Sequence, residues 1–180
     1  GLVGLGMMGK NHARVMGSTE NVELVGIADP LGDPTGTINS ELIFSSLEEL
    51  IDQDIDLAVV ACPTIEHEQV AMKLCEAGIH TLVEKPFAID TEAALSIANA
   101  FQKANLVGAV GHIERFNPAI RSMRQRIAEG ELGELYQIST RRIGPFPNRI
   151  RDVGVVKDLA THDLDLTVWV GNSQFKQISA

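Results

Sequence analysis

The sequence predicts an α/β fold: a doubly wound parallel sheet over residues 1–112, then the opening, truncated part of an α+β domain over residues 113–180. Three observations carry this expectation. Short apolar runs alternate with segments of helical periodicity up to about residue 110, which is the pattern of βαβ units around a parallel sheet. A glycine-rich turn joins the first apolar run to the first helical segment. Near Gly111 the alternation stops and the order becomes helix, strand, loop, helix, which sets the domain boundary at residues 111–116.

The strands are expected at Leu2–Gly4, Glu23–Ala28, Leu57–Ala61, Thr81–Val83 and Leu106–Val110. Helices are expected at Met7–Met16, Leu47–Ile51, Glu66–Ala77 and Thr91–Ala104. In the fourth helix Ala94, Leu95, Ala98 and Phe101 recur at helical spacing behind Thr91, a residue type that caps helices. Gly78 is a suitable stop for the third. Pro30–Asn39 holds two Pro and two Gly without helical periodicity and reads as a loop where a helix would be usual. In the second part, Arg115–Glu129 reads as a helix ending at Gly130, Leu135–Arg142 alternates like a strand, Arg141–Arg151 reads as loop and Val156–Val170 as a helix. The chain opens at Gly1-Leu2-Val3 inside a strand without an initiator Met and closes at Ile178-Ser179-Ala180 as another strand begins, so it reads as a fragment.

Composition narrows the function classes. A net charge of -9 disfavours nucleic acid as a partner, because phosphates repel an acidic surface. No apolar run reaches the roughly 18 residues of a membrane helix, so no membrane partner is expected. Cys62 and Cys75 form no CxxC pair and read as reduced, buried thiols of a cytoplasmic protein.

Gly4-Leu5-Gly6-Met7-Met8-Gly9 is a GxGxxG between an apolar run and a helix, with Asp29 at the end of the next strand. That context is the dinucleotide fingerprint of a Rossmann domain. Gly4 permits the tight turn, Gly6 lets the backbone approach a pyrophosphate, and Gly9 lets helix and strand pack closely. The N–H groups of the helix start, around Met7 and Met8, then meet the phosphates. Asp29 is placed to accept from the adenosine ribose 2′-hydroxyl, and no Arg or Lys follows it to hold a 2′-phosphate, which favours NAD over NADP. A glycine-rich turn that binds another phosphate ligand is the competing reading.

Glu84-Lys85-Pro86 at the end of the Thr81–Val83 strand, together with the GxGxxG, resembles the Gfo/Idh/MocA oxidoreductases, dehydrogenases of sugars and cyclitols. So does Asp158-Leu159-Ala160-Thr161-His162-Asp163-Leu164-Asp165, similar to that family's DxxxHxxD segment. The three motifs occur in family order over the whole chain. The block Thr140–Pro147 with Arg149–Asp158 is similar to the family's UDP-N-acetylglucosamine 3-dehydrogenase subgroup. The sequence departs from the family in its short, helix-free link after Asp29, and in Ile113, where many members carry a polar residue before the arginine matched by Arg115.

The resemblance implies NAD-dependent oxidation of a secondary sugar hydroxyl, with Lys85, Asp158 and His162 as the catalytic group. A Lys leaving a buried strand at the ligand edge can hydrogen-bond the reacting oxygen with a lowered pKa, and a His is a natural base near neutral pH. Asp158, one helical turn before His162, can orient it. Each taken alone also reads as a solvated charge, and which of Lys85 and His162 takes the proton stays open. Glu84 is expected against the nicotinamide ribose, with Pro63-Thr64 along the cofactor and His67 in a supporting role. His112 with Glu114, and His162 with Asp163 and Asp165, match no recognised metal spacing, so no metal is expected.

Arg141, Arg142, Arg149 and Arg151 form an acid-free basic run that suits a diphosphate, which makes Arg142 and Arg149 candidate substrate ligands. A solvated loop or intersubunit ion pairs account for it equally. The substrate expected is the 3-hydroxyl of a UDP-N-acetylhexosamine, with a free sugar or inositol as runner-up. A catalytically silent NAD-binding regulator is the alternative of another class, against which the intact Lys85, Asp158 and His162 argue. The family's second sheet, mostly beyond these residues, usually carries oligomer contacts and implies a homo-oligomer at full length.

Overall fold

The computed structural model describes residues 1–143 and 156–179, without the side chains of Lys157 and Asp158. These residues divide into two compact units, Gly1–Gly111 and His112–Ala180.

In the first unit, strands β1 (Leu2–Val3), β2 (Ile27–Ala28), β3 (Ile43–Phe44), β4 (Leu57–Val60), β5 (His80–Val83) and β6 (Gly108–Val110) form one sheet in the order β3-β2-β1-β4-β5-β6. All five pairings are parallel. Period-2 alternation gives each strand two faces. Leu2, Ile27 and Val59 pack with Ala13 and Met16 of helix α1 (Met7–Met16). Val3, Ala28, Val60 and Val83 point the other way, into a core with Val70 and Leu74 of α3 (His67–Glu76) and Ile97 and Phe101 of α4 (Thr91–Lys103). Helices thus cover both faces, as a doubly wound sheet requires. The short helix α2 (Leu47–Ile51) adds Leu50, fully buried, to the second core.

Several boundaries differ from those read off the sequence. The Glu23–Ala28 strand contracts to Ile27–Ala28: residues 23–25 are largely exposed, and ladder bonding starts at Gly26, whose carbonyl accepts from Leu2 N–H at 3.0 Å. Strand β3 was not expected; it is two residues long and carries too little pattern to be seen alone. Asp90, not Thr91, caps α4, its carboxylate accepting from Ala93 N–H at 2.9 Å. Helix α3 starts at His67 behind a 3₁₀ turn, Thr64–Glu66. The Pro30–Asn39 stretch is a loop, as expected.

In the second unit, the single helix expected over Arg115–Glu129 is a 3₁₀ turn, Ile113–Phe116, and a separate helix α5 (Pro118–Ala128). Pro118 disfavours helical backbone at Asn117, which instead caps α5 by accepting from Ala119 N–H at 3.1 Å. Residues 135–143 are exposed and form no strand, since an alternating segment becomes a strand only when another pairs with it. The Val156–Val170 helix is realised as a π turn, Val156–Ala160, running into α6 (Thr161–Gly171). Ile178 and Ser179 are not in a strand, and residues 144–151 of the expected arginine loop lie outside the described residues.

Candidate functional site

Register aligns the first unit's site. Val3 is level with Ala28 and Val60, Val60 with Val83, and Val83 with Val110. The next residues, Gly4, Asp29, Ala61, Glu84 and Gly111, therefore form one row at the carboxyl edge of the sheet. The chain's course reverses between β1 and β4, the switch point at which ligands bind such sheets.

Each glycine of the turn answers a different demand. Gly4 has φ +90°, and a Cβ there would lie 2.6 Å from Cys62 N. A Cβ on Gly9 would overlap the Gly4 carbonyl oxygen. Gly6, by contrast, is exposed and a Cβ would meet nothing within 4 Å. The open volume lies at the N-terminus of α1, where no side chain caps the helix and no acid stands in the first turn. Uncapped N–H groups beside open space suit a pyrophosphate, so these residues fit a dinucleotide. Met7 is half-exposed at the same helix start and Met8 follows it, partly buried.

Asp29 anchors this turn. Its Oδ2 accepts from Leu5 N–H at 2.6 Å and its Oδ1 from Leu31 N–H at 2.8 Å. Each oxygen keeps a second acceptor position, so the carboxylate can hold the glycine turn and still take a ribose hydroxyl.

Glu84 is 6% exposed and points inward. Its Oε1 lies 2.8 Å from His12 Nε2 on α1, and its Oε2 accepts from Lys85 N–H at 3.1 Å. Burial alone would raise the Glu84 pKa, but the His12 hydrogen bond and charge and the Lys85 N–H together hold it below the usual carboxylate range. Glu84 thus ties α1 to the start of the Lys85 segment. Lys85 is partly buried, and its peptide bond to Pro86 is cis. Pro63 is exposed at the start of the Thr64–Glu66 turn, and Thr64 is buried at 6% exposure. His67, 1% exposed, places Nδ1 3.2 Å from the Phe87 carbonyl and Nε2 3.1 Å from the Cys62 carbonyl, joining the turn after β4 to the segment after Lys85. Burial pushes the neighbouring Cys62 thiol up to about 12, with Glu66 adding to the effect, which leaves it an unreactive thiol.

In the second unit His162 is the second residue of α6, partly buried with Nδ1 shielded from solvent. Asp158 precedes it in the π turn Val156–Ala160. Asp165 binds the Arg115 guanidinium through two hydrogen bonds, one from Nε at 2.9 Å, and lies 3.7 Å from His112 Nδ1. That fork pins α6 to the Ile113–Phe116 turn. Arg142 donates to Asp163 at 3.0 and 3.4 Å and lies 3.8 Å from Glu114. Its charge is met within its own unit, so Arg142 does not by itself call for an external anion. Arg149 and Arg151 lie outside the described residues. Lys85 belongs to the first unit and His162 to the second.

Sequence reasoning missed His12, Asp33 and the Arg115–Asp165 fork. Only Asp33 carried a usable signal, the turn-forming run Asp33-Pro34-Thr35-Gly36-Thr37.

Comparison with known proteins agrees with this geometry. Residues 1–112 match the family model described as an oxidoreductase family with an NAD-binding Rossmann fold, and residues 120–180 match the GFO/IDH/MocA C-terminal domain. UDP-N-acetylglucosamine 3-dehydrogenase of Acidithiobacillus ferrooxidans is 35% identical over 93% of this chain and 52% of its own length. A crystal form of that enzyme superposes with a TM-score of 0.84 at 32% identity, covering 99% of this chain and 59% of its own. The scyllo-inositol 2-dehydrogenase (NAD(+)) of Bacillus subtilis is 28% identical over 99% of this chain and 55% of its own length. The chain thus spans about half the length of the curated relatives it matches. Among the described residues no helix is long and apolar enough to cross a membrane.

Proposed function

The chain belongs to the GFO/IDH/MocA oxidoreductase family, and from that premise we propose that it is the cofactor-binding part of an NAD-dependent dehydrogenase that oxidises a secondary hydroxyl of a sugar. The observation that carries this reading is the cradle over Gly6: an uncapped helix start beside open space, with Asp29 bonded to the same turn. Bound NAD would supply the hydride acceptor for the carbinol carbon. The chain's own task is to hold the cofactor, orient the hydroxyl and take its proton. Gly6, Met7 and Met8 receive the pyrophosphate. Asp29 takes the adenosine ribose 2′-hydroxyl and repels a 2′-phosphate, selecting NAD over NADP. Pro63 and Thr64 flank the cofactor's course. Lys85, at the carboxyl edge of β5, and His162, oriented by Asp158, are the proton acceptors in question.

The substrate we favour is the 3-hydroxyl of a UDP-N-acetylhexosamine, supported by the similarity to the Acidithiobacillus ferrooxidans enzyme over nearly all of this chain. A free sugar or cyclitol is the second reading, favoured by the internal neutralisation of Arg142 and by the similarity to the inositol enzyme. The test is NADH production by the full-length enzyme on a panel of UDP-linked sugars, free sugars and inositols. With a UDP-sugar substrate, Arg149→Ala should raise KM roughly ten- to a hundredfold, as loss of a charge-assisted phosphate contact does. A better rate on free inositol than on any UDP-sugar overturns the nucleotide-sugar reading. No turnover of any hydroxyl substrate overturns the dehydrogenase.

A further inference from the structure

The loop after Asp29 replaces the helix usual in such folds, and it is organised around one carboxylate. The Asp33 side chain is 2% exposed. Its Oδ1 accepts from Thr35 N–H at 3.1 Å and the Thr35 hydroxyl at 2.6 Å. Its Oδ2 accepts from Thr37 N–H at 2.6 Å, Ile38 N–H at 2.9 Å and the Thr37 hydroxyl at 3.1 Å. The sixth donor comes from outside the loop: Lys10 Nζ lies 3.0 Å from Asp33 Oδ1 and also bonds the Thr35 hydroxyl.

Lys10 stands at the fourth position of α1, one turn from the helix start that faces the open space over Gly6. Its ammonium ends in the loop that Asp29 opens, and Gly32 N–H bonds the Asp29 carbonyl at 3.0 Å. Residues 29–39 contain no Lys or Arg of their own. Lys10 is therefore a cation that tertiary structure brings into the loop that follows Asp29, and Asp33 holds it.

We propose that Asp33 is a specificity-determining residue for the cofactor: by binding the Lys10 ammonium it withholds from the adenosine ribose a cation that would otherwise receive a 2′-phosphate. This rests on the reading of Asp29 as the ribose ligand. A phosphate needs a charge-assisted donor to offset its desolvation, and a Lys whose charge is neutralised by a carboxylate, with two of its three N–H groups already bonded, is a much poorer one. Asp33 stays ionised throughout the working pH range. The Thr35 hydroxyl bond is the largest influence, burial opposes it, and the Lys10, Ile38 and Thr35 N–H bonds reinforce it, holding the carboxyl far below the usual range. NAD selectivity comes from two acids acting differently, Asp29 by meeting the ribose and Asp33 by occupying the lysine.

The test is calorimetric measurement of Kd for NAD and for NADP on the wild type, Asp33→Asn and the double variant Asp33→Asn/Lys10→Met. Asn keeps an acceptor for the loop N–H groups and removes the charge that holds Lys10. The ratio of the two affinities cancels any general loosening of the loop. Asp33→Asn should shift that ratio towards NADP by roughly ten- to a hundredfold, the scale of one charge-assisted phosphate contact. Adding Lys10→Met should return it to within about threefold of the wild type, about 0.65 kcal/mol. A wild type that prefers NAD with an unchanged ratio in Asp33→Asn overturns the lock and leaves the Asp29 reading standing. A shift that survives Lys10→Met also overturns it. A wild type that prefers NADP overturns both.

Discussion

Replacing Gly6 by valine and Gly9 by alanine should separate binding from folding within one turn of chain. Gly6 has φ −66° and ψ −167°, extended backbone open to any residue, and a Cβ there meets nothing within 4 Å. Narrowing the unfolded chain gains about 0.4–1 kcal/mol, and losing a glycine at the helix cap costs about as much, so Gly6→Val should melt within a few degrees of wild type. The added methyl groups occupy the space meant for the pyrophosphate. Losing two N–H bonds to a charged group, at about 1.5–3 kcal/mol each, predicts NAD affinity lower by roughly 10²- to 10⁴-fold. At Gly9 the obstacle is the Gly4 carbonyl, a backbone atom that cannot turn aside. Overpacking there should cost about 3 kcal/mol, the upper end for such insertions. For a chain of this size that is a melting temperature lower by roughly 6–12 °C. The assays are thermal denaturation and NAD titration calorimetry on both variants. Equal NAD affinity for wild type and Gly6→Val would refute the placement of the cofactor, and wild-type melting of Gly9→Ala would refute the packing argument.

Other outcomes follow from the same geometry. Asp29→Ser with Pro30→Arg should move cofactor preference towards NADP, read as a ratio of Kd values, because the acid is replaced by a phosphate donor at the carboxyl end of β2. Lys85→Ala in the full-length enzyme should lower turnover by about 10²- to 10⁴-fold with NAD affinity nearly unchanged, and a loss below about threefold removes Lys85 from the mechanism. His12→Ala removes one of the donors to buried Glu84 and should cost about 1.5–3 kcal/mol by chemical denaturation at pH 7. Because the folded pKa of Glu84 is depressed, its contribution is present above the ordinary carboxylate pKa and lost as pH falls through the folded value. The acid limb of a stability–pH curve should therefore move to higher pH in His12→Ala, and a limb unmoved from wild type counts against the pair.

Much of the first unit was legible because its determinants are local. Helices α1 and α2 span the ranges expected of them, and the GxGxxG with Asp29 marked the cradle, since the steric demands on Gly4 and Gly9 arise within a few residues of the turn. Strand β3 and the true length of β2 were not legible, because two-residue strands exist only through the neighbours that pair with them. The alternation of Leu135–Arg142 misled for the converse reason: it has the pattern of a strand and no partner among the described residues. In the site, the residues whose partners lie far along the chain escaped sequence reasoning. His12 meets Glu84 across 72 residues, Arg115 meets Asp165 across 50, and Lys10 meets Asp33 across 23. Arg142 shows the same limit from the other side. Its local sequence is free of acids, and folding brings Asp163 from 21 residues away to pair with it. Sequence fixes which groups are charged and which turns are sterically possible. Which charges meet is decided by tertiary packing, since an ion pair depends on a distance of a few ångströms that spacing along the chain does not encode.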